Sequence, residues 1–245
     1  MSNATSSKVG AGWAPRQPTA LVVLADGLVI EGFGLGATGE AVGEVCFNTA
    51  MTGYEEILTD PSYAGQIVTF TFPHIGVVGT NEEDIETVNL AASAGARGAI
   101  LRADVGDPSN FRATRRFDAW LKARGIIGIS GVDTRALTAR IRRLGMPNAV
   151  IAHHPLGEFD RAALTAKAKA FPGIDGMDLV PDVGTTQRYD WDETSWSLEG
   201  GYGRRAEGKY RVVAIDYGVK RNILRLLADQ GCEVIVAPAT ASADE

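Results

Sequence analysis

The sequence is poor in the residues that staple or metallate a fold. It holds two cysteines and three histidines in 245 residues. Cys46 and Cys232 lie far apart, and neither belongs to a CxxC or Cys/His cluster. That spacing offers no metal site and no disulfide framework, and a reducing, cytoplasmic setting fits it best. No apolar run approaches the roughly 18 residues of a membrane helix. Residues 1–17, rich in Ser, Gly, Ala and Pro, lack the apolar stretch of a signal peptide and read as a disordered tail. Basic charge is short as well: 24 Lys and Arg face 30 Asp and Glu, for a net charge of −6. With no basic stripe, neither nucleic acid nor an anionic membrane is expected as a partner. What is present is the balance of an ordinary globular protein, with 45% hydrophobic and 22% charged residues, enough for a sizeable core.

Residues 18–172 mix hairpin and helix signals. Asp26-Gly27 between two apolar runs predicts a β-hairpin, because both residues tolerate positive φ. Residues 42–47 and 67–72 read as strands, with Val68, Phe70 and Phe72 on one face. A short helix over 52–58 would be closed by the turn Thr59-Asp60-Pro61-Ser62. Further strands are expected over 99–101, 126–129 and 149–152. Between them, 116–124 reads as a helix with Gly125 at its C-terminal cap, and Asp133 or Thr134 caps a second with a Leu137, Ile141, Leu144 stripe. A third helix is expected over 160–170. The region therefore reads as an α+β, β/β/α domain.

Residues 173–209, polar with scattered aromatics, read as a linker. The pattern changes at Tyr210. Residues 211–215 form an apolar strand of the parallel kind, 219–230 a helix with Ile223, Leu226 and Leu227 on one face, and 233–237 a second strand. A further helix is expected to start at Thr240 or Ser242. One βαβ unit leaves apolar faces uncovered, so 210–245 reads as the opening of a larger, doubly wound α/β domain.

The chemistry-bearing residues are few. Gly34-Leu35-Gly36-Ala37-Thr38-Gly39 matches GxGxxG, but a dinucleotide site needs a helix N-terminus directly after the glycines. Glu40-Ala41-Val42-Gly43-Glu44-Val45 instead looks like strand, so turns and close backbone packing account for the glycines. Cys46 and Cys232 have no local base to lower their pKa and read as inert thiols. His74 reads as a turn residue; adjacent His153 and His154 would point to opposite faces of a strand, as surface residues. Arg115-Arg116 and Arg142-Arg143 read as solvated or partner-facing. Ser62, in the tight Asp60-Pro61-Ser62 turn, is by spacing alone a turn serine.

Several longer strings then occur in order: Gly36-Ala37-Thr38-Gly39, Phe47-Asn48-Thr49-Ala50-Met51-Thr52-Gly53-Tyr54, Glu56-Ile57-Leu58-Thr59-Asp60-Pro61-Ser62-Tyr63, Pro73-His74-Ile75-Gly76 and Gly131-Val132-Asp133-Thr134-Arg135. Together they resemble the N-terminal domain of the carbamoyl phosphate synthetase small chain. Asp216-Tyr217-Gly218-Val219-Lys220-Arg221-Asn222-Ile223 resembles the start of that family's class I glutamine amidotransferase domain. The resemblance implies a subunit that takes ammonia from L-glutamine and passes it to a large subunit. That partner uses bicarbonate, ATP and magnesium to make carbamoyl phosphate for arginine and pyrimidine synthesis. It implies no cofactor in this subunit. It gives Ser62 a part in glutamine binding, where a hydroxyl that both donates and accepts suits the ligand. It places the nucleophilic cysteine and its His/Glu partners beyond Glu245, so that no catalytic residue is expected in this chain. The rival reading is a non-catalytic module that docks on the large subunit.

Overall fold

The computed structural model describes residues 16–87 and 94–242. Most of the tail expected over 1–17, and anything that follows Ser242, lie outside the described residues.

Seven strands form the first unit: β1 (Ala20–Leu24), β2 (Val29–Gly36), β3 (Gly39–Asn48), β4 (Gln66–Phe70), β5 (Gly98–Ile100), β6 (Ile127–Ser130) and β7 (Asn148–His153). They do not stack in layers, as the β/β/α reading expected. The sheet closes on itself in the order β1-β2-β6-β5-β4-β3-β7. Closure removes both edges. It also explains why β1 and β4 are buried at every residue: one side of each strand faces the barrel interior and the other is covered by helices. Ala20, Val22 and Leu24 pack inside with Val45, Ile67, Ile100, Ile129 and Ile151. Leu21 and Val23 point outward onto Leu164 and Ala168.

The helices of this unit are α1 (Tyr54–Thr59), α2 (Phe117–Ala123), α3 (Thr134–Leu144) and α4 (Arg161–Ala170). Asp133, one of the two caps expected for α3, accepts from Ala136 N, and Asp160, expected as the first residue of α4, caps it instead by accepting from Ala163 N. In α3, Leu137 and Ile141 join the barrel core. Leu144, expected on the same stripe, is 61% exposed. It closes the last turn just before Gly145, whose φ of 87° turns the chain away.

The second unit begins earlier than the sequence suggested. Residues 173–209 are not a bare linker: they carry α5 (Val180–Val183), β8 (Tyr189–Trp191), β9 (Glu193–Ser197) and β10 (Gly201–Arg204). β8 joins β11 (Tyr210–Asp216) and β12 (Cys232–Pro238) in one sheet of order β11-β12-β8, while β9 and β10 pair separately. β11 and β12 are parallel, from Tyr210 opposite Cys232 to Asp216 opposite Pro238. Helix α6 (Arg221–Asp229) connects them and covers one face with Leu224 and Leu227. The stripe is rotated from expectation: Ile223 and Leu226 lie exposed, and Leu224, Arg225 and Ala228 are buried instead. On the other face Val213 is 57% and Ile215 42% exposed.

Candidate functional site

Ser62 stands at a junction of the two units. Asp60, Pro61 and Ser62 leave α1 through a short 3-10 turn over Pro61–Tyr63. Asp60 Oδ1 accepts from Ser62 N at 2.9 Å, an Asx-type turn that Pro61 pre-sets by fixing its own φ. The turn holds the Ser62 side chain out to solvent. Its neighbour Tyr63 is held from the other side, its hydroxyl accepting from Asn48 Nδ2 at 2.9 Å.

A second Asx turn faces it from the end of β11. Asp216 is 3% exposed, and its Oδ1 accepts from Gly218 N at 2.8 Å and Val219 N at 2.7 Å. Its Oδ2 accepts from Thr185 N at 2.8 Å, which pins the segment after α5 to the same turn. Gly218 has a φ of 97°, and a Cβ there would lie 2.9 Å from Val183 Cγ2 and 3.1 Å from Pro61 Cβ. Only glycine permits both the conformation and the approach. Pro61, beside Ser62, is thus packed against the turn that starts α6.

Two polar links reinforce the junction. Lys220 Nζ donates to Asp60 Oδ2 at 3.1 Å. Glu86 takes the first amides of α6: its backbone oxygen accepts from Arg221 N at 3.1 Å and its Oε2 from Asn222 N at 2.9 Å. The hydrogen bond to Asp60 is the leading reason that the Lys220 ammonium is held above the usual lysine range. Sequence reasoning singled out Ser62 and the Asp60-Pro61 turn that holds it, but missed Asp216 on the facing unit and Glu86. Both aspartates carried a signal, Asp-Pro and Asp-x-Gly after apolar runs. Glu86 carried none.

Beside α1 lies an open cavity of about 290 Å³. Glu55 on its wall is 5% exposed and accepts from Asn81 N through both oxygens, at 3.0 and 3.2 Å. Burial pushes the Glu55 carboxyl up to about 8, with the hydrogen bond from Asn81 working against it and the charge of Asp84 adding to it. This carboxyl also went unread in the sequence, where Glu55-Glu56 in a first helical turn looks like a solvated pair favoured by the helix dipole.

The remaining sequence candidates separate cleanly. The glycine run 34–39 forms the end of β2 and the turn into β3, followed by strand. A Cβ on Gly34 would fall within the ring of His153, so close packing is what this glycine serves. His153 is not the surface residue expected: it is half-buried, and its Nδ1 lies 2.9 Å from Ala37 O. His154, also half-buried, sits edge-on to Phe159. His74 is exposed beside Phe72. Cys46 and Cys232 are buried free thiols, and burial pushes Cys46 up to about 12, far from a reactive thiolate.

Against known proteins, residues 22–151, more than half of the chain, match the family described as carbamoyl-phosphate synthase small chain, CPSase domain. The carbamoyl phosphate synthase small chain of Bradyrhizobium diazoefficiens is 69% identical over 95% of this chain and 59% of its own length. Those of Agrobacterium fabrum and Mesorhizobium japonicum are 63% and 64% identical over 95% of this chain, and 59% and 58% of theirs. The chain therefore spans somewhat under two thirds of the relatives it matches. With a matched domain that coincides with the closed barrel and the strings around Ser62, the chain belongs to the carbamoyl-phosphate synthase small-chain family.

Proposed function

We propose that this chain is the barrel-bearing part of a small subunit that supplies glutamine-derived ammonia to a large carbamoyl phosphate synthetase subunit. In this reading the chain serves arginine and pyrimidine synthesis. L-glutamine binds where the Ser62 turn meets the end of β11, with the Ser62 hydroxyl contacting the ligand. The observation that carries the reading is the packing of Pro61 on Gly218, reinforced by Lys220 on Asp60. It sets the turn that bears the exposed Ser62 against the carboxyl end of a parallel strand of the other unit, where ligands bind in open α/β sheets.

The second unit is read as the opening of a class I glutamine amidotransferase domain. The parallel β11–α6–β12 unit supports this, as does the uncovered apolar face at Val213 and Ile215, since parallel sheets are stable with both faces covered. The chemistry itself requires a nucleophilic thiolate with an adjacent base. Neither buried cysteine qualifies, and the nucleophile and its His/Glu partners are assigned to the part of the relatives' length that these 245 residues do not span. ATP and magnesium belong to the large subunit, and no cofactor is assigned to this one. The test is ammonia release from glutamine by the purified 245-residue chain, alone and with the large subunit. The reading expects none above background. Release at an enzyme-like rate would sink it and call for a nucleophile within these residues.

A further inference from the structure

Helix α6 begins without a cap of its own. Lys220 stands at its N-cap position with no side-chain hydrogen bond, and no acidic residue occupies its first turn. Lys220 and Arg221 are cations at an end where the helix dipole favours anions. The acceptors come from the barrel unit instead. Glu86 O accepts from Arg221 N at 3.1 Å, and Glu86 Oε2 accepts from Asn222 N at 2.9 Å. One residue thus satisfies two of the amides that a helix start leaves open.

Glu86 also reaches back to α1. Its N donates to Thr59 Oγ1 at 2.9 Å, and the same hydroxyl donates to Glu55 O at 2.7 Å. Thr59 is the last residue of α1 and directly precedes the Asp60-Pro61-Ser62 turn. The segment that carries Glu86 is anchored on α1 a second time, one turn earlier, where Asn81 N donates to Glu55. Between the two anchors Asn81 Oδ1 accepts from Glu83 N at 2.8 Å and Asp84 N at 2.9 Å, which stiffens the segment. Glu86 is 8% and Thr59 2% exposed. Hydrogen bonds this buried escape the solvent screening that weakens the half-exposed Lys220–Asp60 pair.

We propose that Glu86 is a positioning residue of the glutamine site. It brackets the Ser62 turn and the start of α6 at a fixed separation, and that separation sets the reach of the Ser62 hydroxyl to the ligand. Glu86 itself does not touch glutamine. This inference rests on the functional reading above, which gives Ser62 its ligand. A merely structural role would lower folding and every activity together. A positioning role confines the effect to glutamine binding and makes it depend on Ser62.

The experiment uses the small chain completed with the remaining length of the Bradyrhizobium relative and paired with the large subunit. Glutamine-supported kcat and KM are measured for the unaltered chain, Glu86→Ala, Glu86→Gln, Thr59→Val, Ser62→Ala and Ser62→Ala/Glu86→Ala. The ammonia-supported rate reports an intact complex. Glu86→Ala is expected to raise KM for glutamine by about three- to tenfold and to move kcat by less than about twofold. In the Ser62→Ala background the same substitution should change KM by less than about twofold, because the hydroxyl it positions is gone. Glu86→Gln keeps a carbonyl for Asn222 N and should restore KM close to the unaltered value. Thr59→Val opens the bracket at its other end and should raise KM as Glu86→Ala does; it decides the matter if the alanine variant does not fold. An unchanged KM in Glu86→Ala or Thr59→Val overturns the positioning role and leaves the functional reading standing. So does an equal rise with and without the Ser62 hydroxyl, or a Glu86→Gln variant as impaired as the alanine one. An unchanged KM in Ser62→Ala overturns the functional reading and the proposal with it.

Discussion

Lys220 and Asp60 are 160 residues apart in sequence and 3.1 Å apart in space. The pair joins the start of α6 to the turn that carries Ser62. Asp60 keeps only 11% of its side-chain exposure, whereas Lys220 keeps 40%. Solvent at the lysine therefore limits the pair to roughly 0–1 kcal/mol. Its larger effect is positional. Lys220→Met should cost global stability no more than about 1 kcal/mol, yet speed amide exchange at residues 60–64 and 216–222. Hydrogen exchange followed by mass spectrometry checks this. Unchanged protection in both segments would show that packing at Pro61 and Gly218 suffices without the ion pair.

Glu55 gives a pH signature. Its carboxyl sits near 8 in the folded protein, against 4.5 for the ordinary group. The folded chain therefore keeps a proton that the unfolded chain has released, and stability falls as pH rises through that window. Glutamine keeps a carbonyl for Asn81 N but does not titrate. The stability of Glu55→Gln relative to the unaltered protein should thus grow between about pH 4.5 and 8 and reach a gain of about 1–3 kcal/mol above it. Urea unfolding at a series of pH values measures this. A difference that does not vary with pH would mean that Glu55 ionises normally in the folded state.

Gly34 tests the reading of the glycine run. A methyl group there meets the His153 ring, which is itself held at Ala37 O. Gly34→Ala should cost about 1–3 kcal/mol, as overpacking does in a closed core. Gly106, where an added Cβ finds nothing within 4 Å, should tolerate alanine within about 0.5 kcal/mol. Thermal or urea denaturation of the two variants separates them. Equal, small losses would mean that the barrel end is looser than its packing indicates.

Much of this was legible in the chain. The Asp26-Gly27 hairpin, the Asp133 cap and the parallel β11–α6–β12 unit all follow from local rules of turn, cap and period. Closure of the barrel did not, because it depends on β7 pairing with both β1 and β3, a long-range choice that no window of sequence contains. β8 was missed for a similar reason. Tyr189-Asp190-Trp191 alternates, but its three residues are too few to stand out from a polar stretch until β12 offers an edge. In α6 the sequence held five apolar candidates for one face, and the burial of Arg225 against Glu193 and Tyr202 turned the helix away from the expected stripe. Ser62 was marked as a candidate by family resemblance; the links of its turn to the second unit, through Lys220 on Asp60 and Pro61 on Gly218, were not legible, since each joins segments distant in sequence.

The most direct test joins residues 1–245 to the remaining length of the Bradyrhizobium small chain and pairs the product with the large subunit. Carbamoyl phosphate formation is then followed with glutamine and, separately, with free ammonia. Ser62→Ala should raise KM for glutamine by about tenfold, the loss of one or two hydrogen bonds to the ligand, and leave the ammonia-supported rate unchanged. Equal glutamine kinetics in the serine and alanine proteins would remove Ser62 from the binding site and contradict the account.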